Sequence, residues 1–302
     1  MNCKDNILHT KILNQINKES NTIGIELTTY CPLDCIYCTR KINERRDQNL
    51  SLDKVDILLD KIKKYDRVVI CGIGEPFVYP HIYYVLDRLK HKKVVIITSG
   101  TVKIDFERLK QSACIEVMIF SVDSPSEKGM KKIASAYNWN NLLYNLENAR
   151  GFTRMINCTV TDQNIHDLPE LVRFAVEKRL SAISFTLDIR RDDDGKHNEE
   201  VNELLIESKS IAQKNRIVFM DNSTNFKCLS WSNLVHYLNL NGEFFPCCQG
   251  VNSKYVCGNI FESDIDEIMK SEKMLEFKKG SLCFNDCKIF TDCCKLHELR
   301  NN

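Results

Sequence analysis

Short apolar runs alternate with longer stretches in which apolar residues recur every three or four positions, and this alternation organises residues 23–215. The short runs lie at 23–29, 67–71, 94–98, 115–122, 154–161 and 182–187. They are rich in Val, Ile, Phe and Thr and carry little charge, the pattern of strands covered on both faces. The longer stretches predict helices over 52–64, 81–90, 106–111, 127–150, 168–178 and 199–215. In the fifth of these, Leu168, Leu171, Val172, Ala175 and Val176 share one face, and Asp167 ahead of Leu168-Pro169 marks its start. Six strand–helix units imply right-handed crossovers and a parallel sheet. Eight such units close a full barrel, so six predict an α/β fold that is a partial (β/α)6 barrel with parallel strands.

Past Met220 the pattern changes. Residues 235–240 and 243–246 flank Asn241-Gly242 and predict a hairpin. A helix is expected over 265–278, with Ile265, Ile268, Met269, Met274 and Leu275 on its apolar side. The expected organisation is an N-terminal segment (1–22), a barrel core (23–220) and a small C-terminal hairpin-and-helix domain (221–302).

Composition narrows the partners. Forty-two Lys and Arg against 41 Asp and Glu leave a net charge of +1 in 302 residues, so no overall field favours nucleic acid or an anionic membrane. No apolar run is long enough for a bilayer, and the first residues, Met1 to Asn6, lack the apolar stretch of a signal peptide. A cytoplasmic chain is expected. In that compartment 15 cysteines point to metal or redox chemistry rather than disulfides.

The cysteines are unevenly spread. Three lie in Cys31-x3-Cys35-x2-Cys38, directly after the first predicted strand, where a βα loop presents chemistry. Eight fall between Cys228 and Cys294, while Cys3, Cys71, Cys114 and Cys158 stand alone and read as small core residues. Three close thiolates can hold three corners of an iron–sulfur cube and leave one iron open. Zinc with a distant fourth ligand and a redox pair are the alternatives.

Cys31-x3-Cys35-x2-Cys38, with Tyr37 just before the last cysteine, resembles the signature of the radical S-adenosylmethionine (SAM) superfamily. The resemblance implies a 4Fe–4S cluster on these three cysteines, with SAM chelating the open iron. It also implies reductive cleavage of SAM to a 5′-deoxyadenosyl radical that abstracts hydrogen from a substrate, the cofactor carrying the hard chemistry. Further marks follow at successive strand ends. Gly72-Ile73-Gly74-Glu75-Pro76 is similar to the family's Gly-Gly-Glu-Pro element, with glycines that admit a ligand and Glu75 to offset its positive charge. Ser99 sits where the family often has Thr-Asn-Gly, Ser121 and Asp123 resemble its Ser-x-Asp element, and Asn164 falls at another family-like position. Each is also an ordinary turn or capping residue. Asp188 and Arg190, after the sixth strand, are candidates for moving a proton, in a loop that otherwise reads as exposed charge.

Cys228-x13-Gly242-x4-Cys247, with the hairpin between, resembles the opening of the SPASM and Twitch auxiliary-cluster domains of that superfamily. Cys283-x3-Cys287-x5-Cys293-Cys294 is similar to a closing half, with a first gap one residue too long and His297 where the next cysteine belongs. The resemblance implies one auxiliary 4Fe–4S cluster on Cys228 and Cys247 with two of Cys283, Cys287 and Cys293. Structural zinc is the alternative. The expected function is oxidative modification of an unactivated C–H bond in a small molecule or peptide, the auxiliary cluster accepting an electron. Reduced flavodoxin or ferredoxin is the expected donor. A redox-neutral epimerase or peptide maturase and a non-catalytic metal or electron-transfer module are the competing readings.

Overall fold

The apolar runs pair into one sheet in the computed structural model, which describes residues 21–42, 45–112, 115–187, 198–221, 235–246 and 255–279. Strands β1 (Thr22–Ile25), β2 (Arg67–Ile70), β3 (Lys93–Thr98), β4 (Ile115–Ser121), β5 (Thr153–Val160), β6 (Ala182–Leu187) and β7 (Val218–Asp221) lie side by side in chain order, all parallel. Between them run α1 (Leu52–Lys61), α2 (Ile82–Arg88), α3 (Phe106–Ser112), α4 (Glu127–Ile133), α5 (Trp139–Asn148), α6 (Leu168–Glu177) and α7 (Asn198–Lys214). The strand–helix alternation read from the sequence is therefore present, and the sheet continues one strand further than expected. β7 is only four residues long and half-buried at the sheet edge, too short and too wet to stand out as an apolar run.

The two faces of the sheet differ. On one, Ile23, Ile25, Val68, Ile70, Ile96, Phe120 and Ile183 pack against helix residues such as Val55, Leu58, Val85, Leu142 and Leu171 in the main core. On the other, Val95, Val117, Met155 and Ala182, with Val69, Ile119, Val218 and Met220, form a smaller apolar cluster made of strand residues alone. That second face is the bore of the partial barrel. The strands point their C-terminal ends towards its mouth, the end at which such folds carry chemistry.

Hairpin strands β8 (Val235–Leu238) and β9 (Glu243–Phe245) form as the Asn-Gly turn predicts, followed by β10 (Gly258–Asn259). Their placement is new information: β8 pairs in parallel with the free side of β1, so the C-terminal region extends the barrel sheet to ten strands. Tyr65, just past α1, bonds His236 Nδ1 across this seam through its hydroxyl at 3.0 Å. Ion pairs Lys61–Asp264 and Lys64–Asp266 decorate the same seam on the surface, where such pairs contribute little.

Two predicted helices are broken. The stretch 127–150 divides into α4 and α5 because Tyr137 turns inward, 2% exposed, to donate its hydroxyl to the Ser99 carbonyl at 2.6 Å. Asn138 then caps α5 by accepting from the Asn141 N–H. The stretch 265–278 divides into α8 (Ile265–Ile268), opened by a capping box of Asp264 and Glu267, and α9 (Glu272–Lys279). β1 also stops at Ile25 rather than 29, since Leu27 and Thr29 bond the returning loop at Leu50 and Gln48 instead. No helix among the described residues is long and apolar enough to cross a membrane.

Behind the mouth, fully buried Asn145 on α5 holds the loop after β3. It donates to the Gly100 and Val102 carbonyls at 2.8 and 2.7 Å and accepts from the Ile104 N–H at 3.0 Å. Replacing it by leucine strands three backbone groups, each worth about 1–3 kcal/mol when left unpaired. Asn145→Leu is expected to lower the unfolding free energy by about 3 kcal/mol, measured by denaturant titration of the cluster-free protein.

Candidate functional site

The cysteine loop leaves β1 and folds over the mouth of the bore. Leu33, 3% exposed, anchors it in the core; the Ile36 N–H donates to the Ile133 carbonyl at 3.0 Å, and Cys38 N–H closes a turn on the Cys35 carbonyl. Cys31, Cys35 and Cys38 remain partly accessible and free of disulfides. They sit close enough that the charge of Cys38 opposes ionisation of both Cys31 and Cys35. Burial first, with carboxylates Glu75 and Asp123 and the sister thiols adding to it, pushes Cys31 up to about 11 and Cys35 to about 12. Three half-buried thiols held close together are a soft donor set suited to a metal centre, which they would bind with loss of protons. The Arg40 N–H already donates to Cys38 Sγ at 3.4 Å. Among the described residues no three His, Cys, Asp or Glu converge as the ligands of a single ion do. A cube, which offers each thiolate a different iron, takes ligands set farther apart than those around one zinc.

Tyr37 and Asp123 fasten this loop to the sheet. The Tyr37 hydroxyl donates to Asp123 Oδ2 at 2.6 Å, and Asp123 Oδ1 accepts from the Thr159 N–H of β5 at 2.8 Å. Asp123 is 2% exposed, and burial raises its carboxyl to about 6 against the partial relief of those two donors. Asn164 supports Asp123 from behind. Its amide donates to the carbonyls of Asp123 and Thr159 at 2.8 and 2.9 Å, and its oxygen accepts from the Thr161 N–H at 2.7 Å. With 1% exposure, the Asn164 side chain is engaged with backbone rather than with the bore.

Glu75 performs a similar task one loop away. Oε1 accepts from the Thr98 hydroxyl at 2.7 Å and the Phe77 N–H at 3.2 Å; Oε2 accepts from the Ser99 N–H and hydroxyl, both at 2.7 Å. The loop after β2 is thereby tied to the end of β3, with Ser99 between them. Gly72 has φ +135°, and a Cβ there would stand 2.6 Å from Glu26 Cγ; one on Gly74 would meet the Thr28 carbonyl oxygen at 2.3 Å. Their missing side chains make room for the protein itself, which draws the loop backbone tight against β1.

Ser121 lies on the bore face of β4, level in register with Asn157 of β5, which in turn lies level with Ser184 of β6. The Ser184 hydroxyl donates to Asn157 Oδ1 at 2.7 Å. Tyr37, Gly72, Gly74, Glu75, Ser99, Ser121 and Asp123 thus share the mouth with the three cysteines. Asp188, Arg190, Cys228, Cys247, Cys283, Cys287 and Cys293 lie outside the described residues. Glu26, Tyr137, Asn157 and Tyr237 went unnoticed in the sequence. For Glu26 a signal existed, a lone carboxylate in an apolar run, which on burial demands partners.

The buried carboxyl gives a pH signature. Asp123 is raised from 3.8 to about 6, so its ionised form costs stability: the penalty is absent below pH 4 and complete above pH 6. Two pH units correspond to about 3 kcal/mol. Denaturant melts of the cluster-free protein at pH 4.5, 5.5 and 7 are expected to show wild type falling by up to that amount relative to Asp123→Asn as pH rises.

Residues 25–175, half of the chain, match the model of the radical SAM superfamily, and residues 228–294 match the SPASM iron–sulfur cluster-binding domain. The fold is similar to Streptococcus suis SuiB bound to precursor peptide SuiA (TM-score 0.69, 21% identity, covering 93% of this chain and 71% of that one). It is also similar to anSMEcpe with bound AdoMet (TM-score 0.66, 17% identity, 90% and 84%). A probable GTP 3′,8-cyclase of Methanocaldococcus jannaschii is 21% identical over 170 residues, 53% of this chain and 56% of that protein. The chain therefore spans little more than half the length of that curated relative. A parallel sheet with a three-cysteine loop at its mouth, and these two matches along one sequence, agree on one conclusion: the chain belongs to the radical SAM superfamily and carries a SPASM domain, with a 4Fe–4S cluster, SAM and auxiliary iron–sulfur as its cofactors.

Proposed function

We propose that the protein is a SAM-dependent oxidoreductase that modifies an unactivated C–H position of a small molecule or peptide. The observation that carries this reading is the cysteine loop pinned by Tyr37 to Asp123 over the mouth of the bore. Cys31, Cys35 and Cys38 would hold the 4Fe–4S cluster. Gly72, Gly74, Glu75, Ser99, Ser121, Asp123 and Asn164 would form the SAM site, several of them by fixing loops rather than by touching it. When bound, cluster and SAM supply reductive cleavage to a 5′-deoxyadenosyl radical and hydrogen abstraction from substrate. The chain's own share is orientation and shelter. Tyr37 and Asp123 fasten the cysteine loop to the sheet, Glu75 ties the loop after β2 to the end of β3, and buried Leu33 and Tyr137 anchor the loops beside them.

Oxidation removes a second electron and a proton. In this reading the SPASM region, residues 221–302, takes the electron on one auxiliary 4Fe–4S cluster bound by Cys228 and Cys247 with two of Cys283, Cys287 and Cys293. Asp188 and Arg190 would handle the proton. Residues 23–220 form the catalytic core and 1–22 a leading segment. A reducing cytoplasm, with reduced flavodoxin or ferredoxin as donor, suits so many free thiols.

A second, redox-neutral reading draws on Cys71. By register with the bore residues its thiol belongs to the bore side of β2, and burial, then Glu26, pushes it up to about 12, so it stays protonated and able to give a hydrogen atom. Epimerisation in deuterated water would place solvent deuterium on the product carbon; oxidation would not.

Anaerobically reconstituted wild type is expected to hold about eight irons per chain, two cubes, and to form 5′-deoxyadenosine from SAM. Cys35→Ala is expected to lose about four irons and all detectable cleavage. Cleavage that persists in Cys35→Ala overturns the proposal; iron without cleavage in wild type favours an electron-transfer module, and bound zinc a structural one.

A further inference from the structure

Glu26 follows β1 towards the mouth and has no exposure to solvent. A carboxylate in such a place must collect donors, because an unpaired buried charge is far costlier than the net worth of any one bond. Its donors come from three distant segments. Oε2 accepts from the Ile73 N–H at 3.0 Å and from the Tyr237 hydroxyl at 2.8 Å. Oε1 accepts from the Arg45 guanidinium, with the Leu240 N–H at 3.5 Å. Ile73 lies between the two glycines of the 72–75 loop. Tyr237 and Leu240 belong to β8 and the turn after it, and Arg45 to the chain returning from the cysteine loop. Gly72 rests directly on the same side chain, its Cβ position blocked by Glu26 Cγ. One carboxylate is therefore a shared floor for the glycine loop and a docking point for the C-terminal hairpin.

We infer that Glu26 is a positioning residue that couples the seating of the C-terminal hairpin to the shape of the glycine loop, and so to the affinity for SAM. The inference rests on the proposal that this loop holds SAM. Tyr237 makes the hairpin's shorter bond to the carboxylate: without its hydroxyl, Oε2 keeps only Ile73, and the hairpin is left with the 3.5 Å approach of the Leu240 N–H to Oε1. A second buried bond joins the core to the same strand on the opposite face, Tyr65 to His236, and touches neither Glu26 nor the loop. The two tyrosines separate coupling from mere docking. Coupling is also reciprocal: if the hairpin favours SAM, SAM must favour the seated hairpin by the same factor.

The experiment uses full-length, cluster-loaded protein under anaerobic equilibrium dialysis with SAM. Tyr237→Phe is expected to weaken SAM binding about tenfold, ~1.4 kcal/mol, while Tyr65→Phe stays within twofold of wild type at a similar loss of thermal stability. Glu26→Gln, which turns one acceptor into a donor facing N–H groups, is expected to weaken it at least as far. In wild type, SAM is expected to slow amide exchange across residues 237–242; in Tyr237→Phe it is not. Unchanged SAM affinity in Tyr237→Phe, or equal weakening in Tyr65→Phe, overturns the coupling alone. Should Tyr237→Phe fail to fold, absence of SAM-induced protection at 237–242 in wild type overturns it as well. Cluster-loaded wild type that binds no SAM overturns the reading of the loop, and the coupling with it.

Discussion

The mouth of this barrel is organised by one constraint: a buried carboxylate must have every acceptor position answered. Glu26, Glu75 and Asp123 are at most 2% exposed, and each lies in the segment that follows a parallel strand. Their donors come from neighbouring strand ends and from loops distant in sequence. Asp123 draws Tyr37 of the cysteine loop and the backbone of β5; Glu75 draws the end of β3; Glu26 draws the glycine loop and the C-terminal hairpin. The result is a ring of loops fixed to one another through three acids rather than through a hydrophobic lid. Breaking one such bond costs more than making it contributes, since the remaining partner is left charged in a dry place. Residues that carry chemistry and residues that hold shape are consequently interleaved, and several of the motif residues do both.

Much of the fold was legible because β-branched runs of five to eight residues announce covered strands. What escaped was governed by distance. The period of 127–150 reads as one helix, yet Tyr137 leaves it for the Ser99 carbonyl, a contact that no local pattern encodes. The hairpin was marked by Asn241-Gly242, but its parallel pairing with β1 joins Glu26 and Tyr237 across 211 positions. β7 was missed because four half-exposed residues carry too little apolar signal. For the site, cysteine spacing and the order of small polar motifs after successive strands pointed to loops that the fold brings to one end of the sheet. They did not reveal the use to which each residue is put. Gly72 and Gly74 were expected to let the backbone approach a ligand closely, and a Cβ on either would also collide with Glu26 or the Thr28 carbonyl. Asn164 was expected at the cofactor and is engaged with the backbone of Asp123, Thr159 and Thr161. Motifs name positions; hydrogen-bond demand decides what each position touches.

The pairing of β8 with β1 has a consequence for how the chain is made. During synthesis β1 emerges first, pairs with β2 on one side, and then waits with its other edge bare while five further parallel strands are added away from it. That edge is a row of unanswered amides and carbonyls of the kind that recruits foreign strands. Sequence-distant pairing of this sort is also slow. The strand that covers this edge of β1 is made only after all seven parallel strands, so the edge stays open until β8 has been synthesised. A truncated product lacking the hairpin would carry that open edge permanently, together with a Glu26 that has lost the Tyr237 hydroxyl. The hairpin thus covers the first edge of the barrel sheet, in the same region that matches an iron–sulfur cluster-binding domain.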